Sequence, residues 1–141
     1  MRSRYPIAVY LLFLEHNQIL LLRRFNTGYE DGNYSLVAGH VEAGETVTQA
    51  AVREALEEAG VVLQPENLRM VHVMHRKSND ERVDFFVAVK AWEGEIQNRE
   101  PEKCDDLAWF PYTNLPVNLI PCVRFAISNV QKGVLYSEFG W

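Results

Sequence analysis

Residues 39–61 read GHVEAGETVTQAAVREALEEAGV. Within this stretch Glu54, Glu57 and Glu58 fall at i, i+3 and i+4 of a predicted helix, which sends all three carboxylates from one face. Thr46 followed by Gln49 has the spacing of a capping box. Val47, Ala50, Ala51 and Ala55 form an apolar stripe able to pack on a sheet, and Gly60 suits the left-handed position that ends a helix. The charges break the local rules. Glu54 and Glu58 are like charges four apart, which costs about 0.2–0.5 kcal/mol on a free helix. Glu57 and Glu58 also sit in the last turn, where the macrodipole prefers cations. Arg53 can pair with Glu57 or reach back to Glu45, but one cation does not neutralise Glu42, Glu45, Glu54, Glu57 and Glu58 together. Acidic residues on a helix are most often a solvated face. Violations gathered on one helix point instead to function. Hard divalent cations such as Mg²⁺ take oxygen ligands, and a carboxylate cluster on a rigid element supplies them.

In full, the pattern is Gly39, five residues, Glu45, seven residues, Arg53-Glu54, two residues, Glu57-Glu58, one residue, Gly60. It resembles the signature of the Nudix hydrolases (MutT-like) at every fixed position. Ala55 stands where the family usually carries a larger aliphatic, which predicts looser packing beneath the helix. The resemblance implies an α/β fold, the Nudix α/β/α sandwich with a central mixed sheet. It also implies hydrolysis of a nucleoside diphosphate linked to another group, with water attacking phosphorus and a pyrophosphate link breaking. The implied cofactor is Mg²⁺, or Mn²⁺ in its place. Its expected ligands are Glu54, Glu57, Glu58 and a backbone carbonyl at Ala38 or Gly39, where a glycine lets backbone approach an ion closely.

The same three glutamates form the expected catalytic set. Glu45 and Arg53 are expected to hold the loop against the helix, since ligands must be fixed to within about 0.5 Å. The family's general base is either a motif glutamate or a carboxylate outside the motif, and Glu102 is the outside candidate. Arg23 and Arg24 end a predicted strand that runs toward the motif loop, as candidates to grip substrate phosphates. Only one of them faces the site if that strand is regular. Tyr29, Tyr34, Phe86 and Trp109 are read either as base-stacking groups or as core.

Neither proline nor tyrosine occurs between Met74 and Asn79, where the family marks its ADP-sugar and dinucleoside polyphosphate branches. This leaves a (d)NTP pyrophosphohydrolase, giving NMP and pyrophosphate, as the expected activity. An ADP-sugar or capped-RNA hydrolase is the alternative. A non-catalytic nucleotide-sensing domain is disfavoured, because such domains usually lose a motif glutamate.

The 141 residues suit a single domain, residues 1–141, with 48% hydrophobic and 23% charged residues. A net charge of −5 argues against non-specific nucleic-acid binding, which needs a basic surface. It does not exclude a nucleotide substrate, because bound cations invert the local field. Cys104 and Cys122 have no paired-ligand spacing and read as free thiols in a reducing compartment. Arg2 and Arg4 precede the apolar run 7–14, but Glu15, His16 and Asn17 follow with no small-residue cleavage site. That run and 19–24 therefore read as a hairpin. No segment is long enough to span a membrane, and the expected location is cytoplasmic. A homodimer is compatible with the sequence.

Further strands are expected at 34–37, 68–75, 83–92 and 107–110, with a second helix at 122–131 after Pro121. His72 and His75 fall on one of these strands, three apart, and so on opposite faces.

Overall fold

In the computed structural model, which describes residues 2–141, one eight-stranded mixed sheet carries a helix on each face. The strands are β1 (Ile7–Glu15), β2 (Gln18–Arg24), β3 (Tyr34–Ser35), β4 (Val37–His40), β5 (Leu68–Lys77), β6 (Glu81–Val89), β7 (Cys104–Pro111) and β8 (Tyr136–Phe139). Helix α1 (Val47–Glu54) continues into a π-helical turn, Ala55–Ala59, and α2 spans Pro121–Gln131. The main path runs β3-β2-β1-β6-β5-β8, with β4 also pairing with β1 and β7 with β2. The β1–β6 and β5–β8 pairs are parallel, and the other strand pairs are antiparallel.

The period-2 geometry of a strand divides the apolar runs between two cores. From β1 and β2, Val9, Leu11, Phe13, Leu20 and Leu22 pack beneath α1. Leu12, Ile19 and Leu21 point the other way and pack with Val123, Ala126 and Ile127 of α2. Each fully buried Leu or Phe contributes about 1.5–3 kcal/mol relative to exposure. The small residues Ala50, Ala51, Ala55 and Ala59 are all fully buried, so α1 approaches the sheet closely and holds its acidic face at the sheet's end.

The strands at 68–77 and 81–89 meet in a tighter turn than the sequence implies, and the second ends at Val89, short of Trp92. Strand β7 begins at Cys104, ahead of the expected Leu107. Strand β8 was not expected. It docks parallel to β5, and His72, buried at 1% exposure, ties it down through Nδ1 to the Val134 carbonyl (2.8 Å) and Nε2 to Ser137 Oγ (2.7 Å). Both cysteines are buried and free. Among the described residues no helix is long and apolar enough to cross a membrane.

Candidate active site

Helix α1 begins as its sequence dictates. Thr46 Oγ1 accepts from the Gln49 amide (3.1 Å), while Gln49 Oε1 accepts from the Thr46 amide (2.9 Å). It ends differently. From Ala55 the turns widen, and the amide of Gly60, itself left-handed at φ 70°, donates to the Ala55 carbonyl five residues back. Such π-turns are rare and recur at functional sites. This one carries Glu57 and Glu58.

A cavity of ≈ 630 Å³ opens between this helix, the end of β4 and the loop before β7. Five carboxylates line it, from Glu42, Glu54, Glu57, Glu58 and Glu100, against three cations, Arg24, Arg53 and Lys103. Glu54 is buried and Glu57 is exposed. Burial pushes the Glu54 carboxyl up, against the opposing pull of Arg53. Burial, then the charges of Glu54 and Glu100, hold Glu58 well above the usual carboxylate range, although the Ala38 amide donates to its Oε2 (3.1 Å). Gly39 lies against the Glu54 carboxylate, and a Cβ built there would occupy the same space.

Arg53 organises the acidic end. It forms a two-pronged pair with Glu45 (Nε–Oε2 2.8 Å, Nη2–Oε1 2.9 Å), donates to the His40 carbonyl (2.9 Å), and reaches Glu54 Oε1 (2.6 Å) and Glu57 Oε2 (3.3 Å). One side chain thus fastens the loop, the strand end and the helix together. The Arg53 guanidinium holds the Glu45 carboxyl down at about 2, from an ordinary 4.5. A depressed carboxylate stabilises the fold above its unfolded pKa, and that contribution is lost as pH falls through the folded value. Glu45→Gln is therefore expected to lower Tm at neutral pH. Its gap from the parent should close between pH 4.5 and 2 in a Tm-against-pH series.

Other expected residues fall in and out of the cavity. Arg24 lines it, with Nε bonded to the Tyr29 carbonyl (2.6 Å) and Nη2 to Thr27 Oγ1 (3.0 Å). Arg23 points elsewhere and pairs with Asp105 (2.7 Å). Glu102 is exposed and lies outside the lining. The amides of Lys103 and Cys104 both bond the Glu100 carbonyl (2.9 Å each), closing a turn that throws Glu102 outward while Glu100 faces the motif glutamates. Tyr34, Phe86 and Trp109 pack with the two cores, and of the four aromatics only Tyr29 reaches a cavity wall. Asn98 and Lys103 also line the site. No sequence spacing marks them, because a turn brings them there.

The donor set suits a hard divalent cation. Its side-chain donors are all oxygens, and burial raises two of these acids, Glu54 and Glu58, above the usual carboxylate range. Among the described residues no three acidic, His or Cys side chains already converge on one point. Glu54 is turned to Arg53 and Glu58 to the Ala38 amide, so an ion held here would take the place of those partners. Glu54, Glu57, Glu58 and the backbone at Ala38–Gly39 are the groups able to hold it.

Comparison with known proteins places the chain in a family. The NUDIX domain model matches residues 3–127. The 8-oxo-dGTP diphosphatase of Escherichia coli K12 is 30% identical over 126 residues, covering 82% of this chain and 94% of that protein. The NAD-capped RNA hydrolase NudC of Pectobacterium carotovorum is 34% identical over 106 residues, covering 75% of this chain. The chain spans only 39% of that relative's length. The crystal structure of a MutT NUDIX hydrolase from Burkholderia pseudomallei superposes with a TM-score of 0.82 at 26% identity, over 89% of this chain and 98% of that one. The chain belongs to the Nudix hydrolase family, whose members cleave pyrophosphate bonds of nucleoside diphosphate derivatives and use divalent metal ions.

Proposed function

We propose that the protein is a Mg²⁺-dependent (d)NTP pyrophosphohydrolase: water attacks the α-phosphorus, the α–β anhydride breaks, and NMP and pyrophosphate leave. The observation that carries this reading is the composition of the larger cavity, where five carboxylates are gathered against three cations. A polyphosphate is repelled by such a site unless cations enter with it, and Mg²⁺ would supply neutralisation of the phosphate oxygens at the reacting centre.

In this reading Glu54, Glu57 and Glu58 hold the metal with the backbone at Ala38–Gly39, while Arg53 and Glu45 keep them in place. Arg24 and Lys103, both on the cavity wall, grip the phosphates. Glu100 takes the base role that the sequence suggested for Glu102, since it faces the motif glutamates. General-base groups contribute about 10²–10⁴-fold. Glu100→Gln is accordingly expected to lower kcat within that range and Glu102→Gln to leave it unchanged, as read by steady-state kinetics at saturating Mg²⁺.

The reading as a whole is tested by phosphate and pyrophosphate release from a panel, with Mg²⁺ and with excess chelator. The panel spans ordinary and oxidised (d)NTPs, ADP-ribose, nucleotide sugars, dinucleoside polyphosphates and NAD-capped RNA. Chelator-sensitive pyrophosphate release from (d)NTPs is the expected result. Turnover confined to ADP-ribose or capped RNA would move the assignment to those substrates. Metal-dependent binding without turnover would make the protein a sensor.

A further inference from the structure

A second cavity of ≈ 310 Å³ adjoins the first and shares Arg24, Ala38, Gly39 and His40 with it. Arg76, on β5, lines it while only 4% exposed. Its Nε donates to Asp84 Oδ2 (2.7 Å), and Asp84 is 1% exposed. The four remaining N–H groups have two long contacts, Nη1 to Ser78 Oγ at 3.3 Å and Nη2 to the Tyr10 hydroxyl at 3.4 Å. Asp84 Oδ1 is also buried and has no hydrogen-bond partner. A buried ion pair left this incompletely satisfied is a poor device for stability, since an orphaned buried acceptor costs about 1–3 kcal/mol. It is a good device for presenting unspent donors at a cavity wall.

Charge narrows the ligand. Asp84 already balances Arg76, and Asp80 balances Arg82 through two bonds of 2.8 and 2.9 Å. Arg24 on the shared wall bonds a carbonyl and a hydroxyl, and its charge is the one left for phosphate; the fork of Arg76, whose charge Asp84 balances, is left for neutral acceptors. Tyr10 and Tyr29 line the cavity, Tyr10 stacked on Phe86 and Tyr29 beneath the Arg24 guanidinium, which suits a flat ligand. We infer that Arg76 is a specificity-determining residue, whose planar fork selects a nucleobase presenting two adjacent hydrogen-bond acceptors. Guanine does so through O6 and N7. Cytosine does so through O2 and N3. Adenine and uracil alternate donor and acceptor, and 8-oxoguanine turns N7 into a donor. The inference rests on the nucleotide-hydrolase reading above and names the bases it favours.

The test is equilibrium binding of non-hydrolysable α,β-methylene analogues of GTP, CTP, ATP, UTP and 8-oxo-GTP to the full chain with Mg²⁺, by calorimetry. The guanine or the cytosine analogue is expected to bind about 5- to 150-fold tighter than the adenine, uracil and 8-oxoguanine analogues. Replacing guanine by 7-deazaguanine, or cytosine by 3-deazacytosine, should erase that advantage and so identify which base is read. Arg76→Lys keeps the charge beside Asp84 but lacks the fork, and should level the affinities. Equal affinity for all five bases overturns the inference. In that case Mg²⁺-dependent turnover in the panel leaves the hydrolase reading standing. Binding of no analogue overturns both.

Discussion

Glu57→Gln is expected to cut kcat on the order of 10²–10³-fold, the rate equivalent of the several kcal/mol that a correctly held metal ion supplies. Stability should hardly move. The Glu57 side chain is 55% exposed, and its one close partner is Arg53 at 3.3 Å. Removing a charge from a last turn already crowded with carboxylates costs the fold within about 0.5 kcal/mol. Steady-state kinetics and thermal unfolding of the same preparation separate the two effects. A variant with parental kcat removes Glu57 from the metal set.

Gly39→Ala attacks the same centre from the other side. A methyl group at 39 would overlap the Glu54 carboxyl carbon and Oε1. Glu54 is buried and held by Arg53, so it cannot move without breaking that bond. Overpacking of this kind costs about 1–3 kcal/mol, and a displacement near 1 Å at a reacting centre costs on the order of 10²-fold in rate. Both losses are expected together, a lower Tm and a lower kcat. Loss of neither would mean that the strand and helix separate freely at this point.

The helix was legible because its signals are local. Thr46, Gln49 and Gly60 act on backbone within a few residues, and the spacing of Glu54, Glu57 and Glu58 survives any arrangement of the rest. The hairpin of β1 and β2 was legible because two apolar runs flank a polar turn. The choice between Arg23 and Arg24 was half legible. Alternation says that one faces the cavity, but an irregularity in the β2–β7 pairing between them leaves the choice to tertiary structure. Glu100 was passed over because its approach to the motif depends on a turn closed by two backbone bonds, which no side-chain pattern announces. Strand β8 was missed because four residues carry too little periodicity, and its place is set by His72 from 62 or more residues away. The π-turn has no local signal that we recognise.

The two rims of the larger cavity are fastened differently. The chain carrying Glu100 is stitched to the helix end by Gln97 to the Ala59 carbonyl (2.9 Å), Arg99 to the Glu58 carbonyl (3.2 Å) and the paired amides of Val62 and Glu93. Opposite it, the segment carrying Asn26 and Thr27 is knotted on itself through Asp31 bonded to Thr27 and Gly28, and is anchored at its ends by the Phe25 amide to the Lys103 carbonyl and by Asn118 to the Gly32 carbonyl (2.9 Å each). An insertion in the first rim would drag the carboxylates with it. One in the second would reshape the mouth and leave the acidic machinery alone. Descendants of this chain therefore have a route to new diets that spares the carboxylates: edits between residues 25 and 33 that keep Thr27 and Tyr29 on Arg24 vary what is admitted, while residues 93–104 change only in step with the helix.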